Sequence, residues 1–312
     1  MPTRLDHVKA RTGLIAETAA VTALRRFQPD DGWVTPDLML ASVHDPVTAE
    51  LIEEALLWGR SRHGVTSRVA DRMLVACAEA LSRIVPGRVT VEVDADLCFD
   101  ADGMAMRARG FMDEFERRRV GRDKVLIGIP ATWEGIEAAR LLQAEGIDCT
   151  LSQVFSLAQA AAAADAGAFM ISMRLDGDAG GIEFVRSVAR YVGAHDLGCV
   201  LAASGFGTSD DIAALADVAR LGFGIDWLER LATDETALPQ VKPPRHEGVA
   251  ARMILDEKSF RFILNQDGVA ADRLAAALRG AVAELARFRN FASGKLEDAV
   301  DPLAARLSQD MG

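Results

Sequence analysis

The feature that most constrains this chain is a rhythm. Short apolar runs rich in β-branched residues alternate, again and again, with longer stretches of helical periodicity. Residues 14–16, 32–35, 88–94, 125–129, 149–152, 169–173 and 199–203 read as strands, and an eighth, less sharply marked, falls within 223–227. Leu51, Ile52, Ala55 and Leu56, then Val69, Met73, Leu74 and Cys77, recur at helical spacing across 44–84. Further helices are predicted over 101–120, 133–145, 156–165, 182–193 and 209–220. Parallel strands need a long crossover, and a helix is the usual one. Eight such units in 312 residues predict an α/β fold, a single (β/α)8 TIM barrel with extra N- and C-terminal helices. The competing open doubly wound sheet lacks its usual marks, a Gly-x-Gly-x-x-Gly turn after an early strand or a Walker loop. The whole of 1–312 reads as one domain, with a Pro-rich loop at 232–248 (Pro239, Pro243, Pro244) and helices in 249–312 that pack on the barrel.

Composition narrows the function classes. Half of the residues are hydrophobic, so a large core is available, and 46 acidic against 35 basic residues leave a formal charge of −11. That balance opposes a nucleic-acid or anionic-membrane surface, both of which need clustered positive charge. Apolar stretches are broken by charge before 18 residues, so no transmembrane helix is expected, and Arg4, Asp6, Lys9 and Arg11 argue against a signal peptide. A cytoplasmic protein is expected. Cys77, Cys98, Cys149 and Cys199 form no Cys-x-x-Cys pair, and the five histidines lie away from the strand ends, so neither a metal nor another cofactor is expected. Lysine occurs only at 9, 124, 242, 258 and 295.

Barrels place their chemistry at the C-terminal ends of the strands. The residues there are Glu17, Thr35, Glu92, Asp94, Gly128, Pro130, Thr132, Thr150, Ser152, Ser172, Arg174, Ser204 and Asp226. Because side chains alternate along a strand, Glu92 shares a face with Asp94, Thr150 with Ser152, and Ser172 with Arg174. The expected site is a polar ring of carboxylates, hydroxyls and one cation. Trp33 and Trp227 fall near strand ends, where each would either stack on a ligand or pack under the C-terminal helices.

Three segments carry a family resemblance. Val85-Pro-Gly-Arg-Val-Thr-Val-Glu-Val-Asp-Ala95, Val125-Leu-Ile-Gly-Ile-Pro-Ala-Thr-Trp-Glu-Gly-Ile136 and Glu145-Gly-Ile-Asp-Cys-Thr-Leu-Ser-Gln-Val-Phe-Ser-Leu-Ala-Gln159 resemble transaldolase, and the similarity runs from Ala16-Glu17-Thr18 to about Asn265-Gln266-Asp267. The resemblance implies a (β/α)8 barrel, monomeric or dimeric, that moves a dihydroxyacetone unit between sugar phosphates through a lysine Schiff base on the fourth strand. In this chain that motif reads Leu126-Ile127-Gly128-Ile129. Glycine has no amine, and Lys124, four residues earlier, lies roughly 13 Å away along a strand.

Other family positions differ as well. Thr35 and Thr150 stand where the family has asparagine, and the two phosphate-binding arginines fall at Gly177 and within Ser204-Gly205-Phe206-Gly207. Arg174 replaces an aromatic residue, while Trp133 matches a family tryptophan expected to be structural. Glu17, Glu92 and Ser152 match the acids and hydroxyl that handle the catalytic water, and Ser172 is retained.

The resemblance therefore points to a repurposed enzyme rather than a working transaldolase. Glu92, Glu17 and Ser152 would be catalytic; Arg174, Ser172, Thr35, Thr150, Thr132, Trp33 and Asp94 would bind a carbonyl-containing or anionic small molecule. A condensation, cyclisation or lyase step in specialised metabolism is the leading expectation. Two alternatives stand beside it: a non-catalytic relative that binds a metabolite or protein, and residual sugar-phosphate aldol transfer. A homodimer is open, since the family offers both states.

Overall fold

In a computed structural model, which describes residues 2–61, 66–176, 180–239 and 249–298, the eight strands are β1 (Gly13–Glu17), β2 (Asp31–Val34), β3 (Val89–Glu92), β4 (Val125–Pro130), β5 (Cys149–Ser152), β6 (Met170–Arg174), β7 (Val200–Ser204) and β8 (Arg220–Phe223). They pair in sequence order, all parallel, and β8 closes on β1. The helices are α1 (Arg4–Lys9), α2 (Val21–Leu24), α3 (Pro36–Ala41), α4 (Pro46–Ser61), α5 (Thr66–Ser82), α6 (Ala101–Arg117), α7 (Trp133–Ala144), α8 (Leu157–Asp165), α9 (Gly181–Ala194), α10 (Ser209–Ala214), α11 (Ile225–Thr233), α12 (Glu257–Gln266) and α13 (Gly268–Asp298). The (β/α)8 expectation holds. No described helix is long and apolar enough to cross a membrane.

Local chemistry sets the element boundaries. Thr35, Thr132, Ser156 and Thr208 each N-cap a helix by accepting a backbone N–H three residues on, and Ser156 and Thr208 form full capping boxes with Gln159 and Asp211. Pro36 occupies the first turn of α3, where its missing N–H costs nothing.

Inward-facing residues fill the barrel in layers. An ion pair between Arg220 and Asp31, 2.6 Å apart, lies at the N-terminal end. Above it Ile15, Trp33, Leu126, Met170 and Ala202 pack into an apolar plug. The outward faces of the strands join the helices in the main core, with Phe111, Phe115, Phe223 and Phe288 fully buried. The polar layer above the plug is the C-terminal mouth. Helices α12 and α13 reach over it, and Ala270, Leu274 and Leu278 close against Cys98 and Phe155.

Three sequence expectations are corrected. The eighth strand is β8, ending at Phe223, so Asp226 and Trp227 lie in α11 rather than at a strand end. Trp227 packs structurally, and its Nε1 donates to the Phe206 carbonyl at 3.2 Å. The helix after strand seven stops at Ala214 instead of 220. The 232–248 loop begins only after α11 ends at Thr233; 240–248 lie outside the described residues, as do 299–312 of the C-terminal segment and Gly177. Trp133 is structural as expected, with its ring 5.5 Å from that of Phe260.

Candidate active site

A cavity of about 360 Å³ opens at the C-terminal mouth, walled by strand ends and roofed by α13. Register decides which side chains meet there. Glu92 on β3 pairs with Gly128 on β4, which pairs with Thr150 on β5, while Glu17 on β1 pairs with Trp33 on β2. Glu17, Trp33, Thr35, Glu92, Ser152, Ser172 and Arg174 all line the cavity, so seven sequence-expected site residues converge.

Glu92 is the centre of the arrangement. Burial, followed by the facing carboxylate of Glu284, pushes its carboxyl up to about 7, against the weaker opposing pull of Trp33, Arg174 and Ser152, which favour the charged form. Its side chain leans into space left free by the neighbouring glycine. A Cβ built on Gly128 would lie 2.7 Å from Glu92 Cγ.

Glu17 sits deeper against β7 and β8. Burial raises its carboxyl, opposed by Arg174 and a hydrogen bond from Ser204. Its seat depends on Gly222, where a Cβ would stand 2.5 Å from Glu17 Oε1 and 2.9 Å from Ser204 Cβ. Arg174, its side chain 53% exposed, is already engaged: Nη2 lies 2.9 Å from Asp176 Oδ1, and Nη1 lies 3.9 Å from Glu17 Oε2.

Three expected residues do other work. Asp94 lies beyond the end of β3 and turns away to Arg107 at 3.1 Å and Arg289 at 2.8 Å, so it does not share the cavity with Glu92. Thr132 is consumed as the cap of α7, accepting from Gly135 N at 2.9 Å and donating to the Cys98 carbonyl at 2.6 Å. Thr150 lies one layer below Ser152, fully buried, and its Oγ1 has no hydrogen-bond partner among the described residues. Thr35 has two duties, lining the cavity while capping α3 through Leu38 N at 3.3 Å.

No lysine and no cysteine lines the cavity among the described residues. Lys124 donates to the Pro86 carbonyl at 2.6 Å, at the N-terminal end of β4. Burial pushes the Cys77 thiol up to about 12 and that of Cys199 to about 11, so neither supplies a thiolate nucleophile.

Comparison with known proteins places this geometry. A sequence profile described as transaldolase/fructose-6-phosphate aldolase matches residues 14–290. The chain belongs to that family. A protein named transaldolase from Rhizobium rhizogenes (strain K84) is 35% identical over 317 residues, covering 95% of this chain and 99% of its own. Another from Agrobacterium fabrum (strain C58) is 35% identical over 316 residues, and one from Xanthomonas campestris pv. campestris (strain B100) is 36% identical over 317; each covers 95% of this chain and 98% of the relative.

Within this transaldolase/aldolase-family barrel, several cavity residues carried no mark in the sequence. Gln153 follows β5 at a left-handed φ of 58°, which no local motif announces in a non-glycine residue. Asp37 lines the cavity from the first turn of α3. Ala277, Gly280, Ala281 and Glu284 reach in from α13, more than 100 residues along the chain from β5. Gly280 was a potential signal: a Cβ there would touch nothing, so this helical glycine leaves room in the cavity rather than easing a contact.

Proposed function

We propose that this member of the family works without an imine, as an acid/base enzyme acting on a small carbonyl compound. The observation that carries the reading is Glu92: a half-buried carboxyl raised to about 7, beside Trp33 and Ser152 in the lining of a cavity with no lysine among its described lining residues. A group titrating near neutrality is suited to accept and return a proton in one turnover. Gly128 occupies the position at which the family resemblance puts the Schiff-base lysine, so the electron sink of amine catalysis is not available from β4.

In the proposed mechanism Glu92 removes the proton α to the substrate carbonyl. The hydroxyl of Ser172 donates to the carbonyl oxygen as negative charge develops there. Glu17, held between Arg174 and Ser204, positions a water or substrate hydroxyl beside the reacting carbon. Such chemistry serves condensation, cyclisation and lyase steps, the classes expected of a repurposed barrel in specialised metabolism.

The experiment is α-proton exchange. Small hydroxyketones and aldehydes are incubated with the protein in D2O, and loss of the α-CH signal is followed by proton NMR. Exchange with the native protein that disappears in Glu92→Gln supports the reading. Exchange that persists unchanged in Glu92→Gln sinks it. Absence of exchange across the panel favours a binding protein instead. Turnover of fructose 6-phosphate with an aldehyde acceptor would favour the transaldolase activity for which the relatives are named.

A further inference from the structure

The cavity wall at the end of β5 is held by a side chain outside the cavity lining. The β4–β5 register runs to Pro130 and Ser152, followed by the Ala131 N–H on the Ser152 carbonyl at 2.8 Å. Past that point the two chains part: Thr132 caps α7, and Gln153 turns to a left-handed φ of 58°. The next link between them is the side-chain amide of Gln159, in the first turn of α8. Its Nε2 donates to the Ala131 carbonyl at 2.8 Å and to the Gln153 carbonyl at 3.1 Å. Its Oε1 accepts from Phe155 N at 2.9 Å, from Ser156 N at 3.1 Å and from the Ser156 hydroxyl at 3.3 Å.

Gln159 is fully buried, and both the nitrogen and the oxygen of its amide are engaged. Such a group specifies one arrangement of the chain around it, because any other leaves buried polar atoms unpaired. The arrangement it specifies is a strained one. A left-handed backbone is disfavoured in a residue that carries a side chain, and it persists where the surroundings over-determine it. Here the turn brings Gln153 and Phe155 to the cavity lining, while Val154 between them is buried in the main core.

The same turn reaches the roof. Phe155, whose N–H Gln159 holds, carries the Arg273 guanidinium of α13 over its ring at 4.6 Å. Arg273 donates in turn to the Arg174 carbonyl at 3.0 Å and the Leu175 carbonyl at 3.3 Å, at the end of β6. Leu274 and Leu278 of α13 pack in one apolar cluster with Phe155. One buried amide thus ties the ends of β4 and β5 to the helix that covers them.

We propose that Gln159 is a positioning residue of the cavity: its amide holds the left-handed turn at Gln153 and so sets Phe155 as the strut between β5 and the α13 roof. It acts on substrate binding, since the groups assigned to proton transfer, Glu92 and Ser172, stand on β3 and β6. That division of labour rests on the proposed function; the strut does not, and it is read without a substrate.

Two measurements test it. The Arg273 Nε–H resonance, assigned by Arg273→Lys, is displaced by the Phe155 ring current and reports where that ring lies. In Gln159→Met it should move toward its position in Phe155→Leu. Gln153→Gly added to Gln159→Met should bring it part of the way back, because glycine takes a left-handed backbone without a side-chain penalty. Gln159→Glu, close in shape and still able to accept through one oxygen, should show the same change in smaller degree and serves where Gln159→Met does not fold. In α-proton exchange of dihydroxyacetone, Gln159→Met should raise KM roughly tenfold, as expected for loss of one packed wall side chain. The accompanying kcat should stay within about threefold of the native value. An Arg273 resonance unmoved in both Gln159 variants overturns the proposal, as does the absence of any recovery with Gln153→Gly. A fall in kcat with KM unchanged also overturns it, being the mark of fewer folded molecules. A moved resonance in a protein that exchanges no dihydroxyacetone would leave the strut standing and count against the proposed function.

Discussion

Glu92 occupies the room that a side chain on Gly128 would need. An added Cβ at 128 would meet Glu92 Cγ at 2.7 Å, with Glu92 Cα and Thr90 Cγ2 both at 3.3 Å. The β3–β4 register holds the two residues side by side, so the glycine and the poise of the glutamate are one arrangement. Gly128→Ala should destabilise the fold by about 1–3 kcal/mol through overpacking. The loss is read from the urea midpoint, and it should largely vanish when Glu92→Ala is combined with it. Strict additivity of the two substitutions would show that they do not share the space.

Imine chemistry should be absent from the cavity. Incubation with dihydroxyacetone or fructose 6-phosphate, borohydride reduction and intact-mass measurement are expected to leave the protein unmodified, because no lysine lines the cavity among the described residues and Lys124 is tied to Pro86 at the other end of β4. A specific adduct mapped to one lysine would return the chain to amine catalysis with a relocated nucleophile.

The raised carboxyl of Glu92 makes stability depend on pH with a definite sign. In the folded state it holds its proton up to about 7, far above the unfolded value of a glutamate. The stabilisation is thus fully present below the unfolded value, and it is lost as pH rises through about 7. Above that the fold confines a carboxylate facing Glu284, with only Arg174 as partial compensation. Glu92→Gln should therefore be more stable than the native protein at pH 8 by about 2–3 kcal/mol, with the gap closing toward pH 5. Urea unfolding across this range checks it; a gap that ignores pH would contradict it.

Gly222 is expected to be as demanding as Gly128. Its missing Cβ leaves the seat of the Glu17 carboxylate, which a methyl group would crowd at 2.5 Å. Gly222→Ala should cost about 1–3 kcal/mol in urea unfolding and should slow α-proton exchange, whereas Gly280→Ala, where a Cβ meets nothing, should preserve stability. Equal costs at the two positions would remove the special role of β8 beside Glu17.

Much of the barrel was legible because strand and helix periods are local properties. The runs at 88–94 and 125–129 fall on β3 and β4, and period-two alternation correctly put Ser152 above Thr150 and Arg174 above Ser172 on inward faces. The same rule failed for Asp94, since β3 ends at Glu92 and alternation stops where pairing stops. The expectation that strand-end residues face the site failed for Thr132, because a hydroxyl at the first turn of a helix satisfies orphan backbone N–H groups instead of facing a ligand. The eighth strand was misplaced because Arg220–Phe223 is only four residues long and runs into the apolar start of α11.

By itself the sequence determined the βα repeat, the family, the glycine at 128 and the acids on β1 and β3, since each is written in residue identity and short-range spacing. Only the tertiary structure decided that Glu92 leans into the space beside Gly128, and that Trp33, Asp37, Gln153 and Glu284 line the same cavity as it does. Those relations come from register between strands and from the docking of α13 across the mouth. Contacts between residues more than 100 positions apart leave no periodic trace in the chain that makes them.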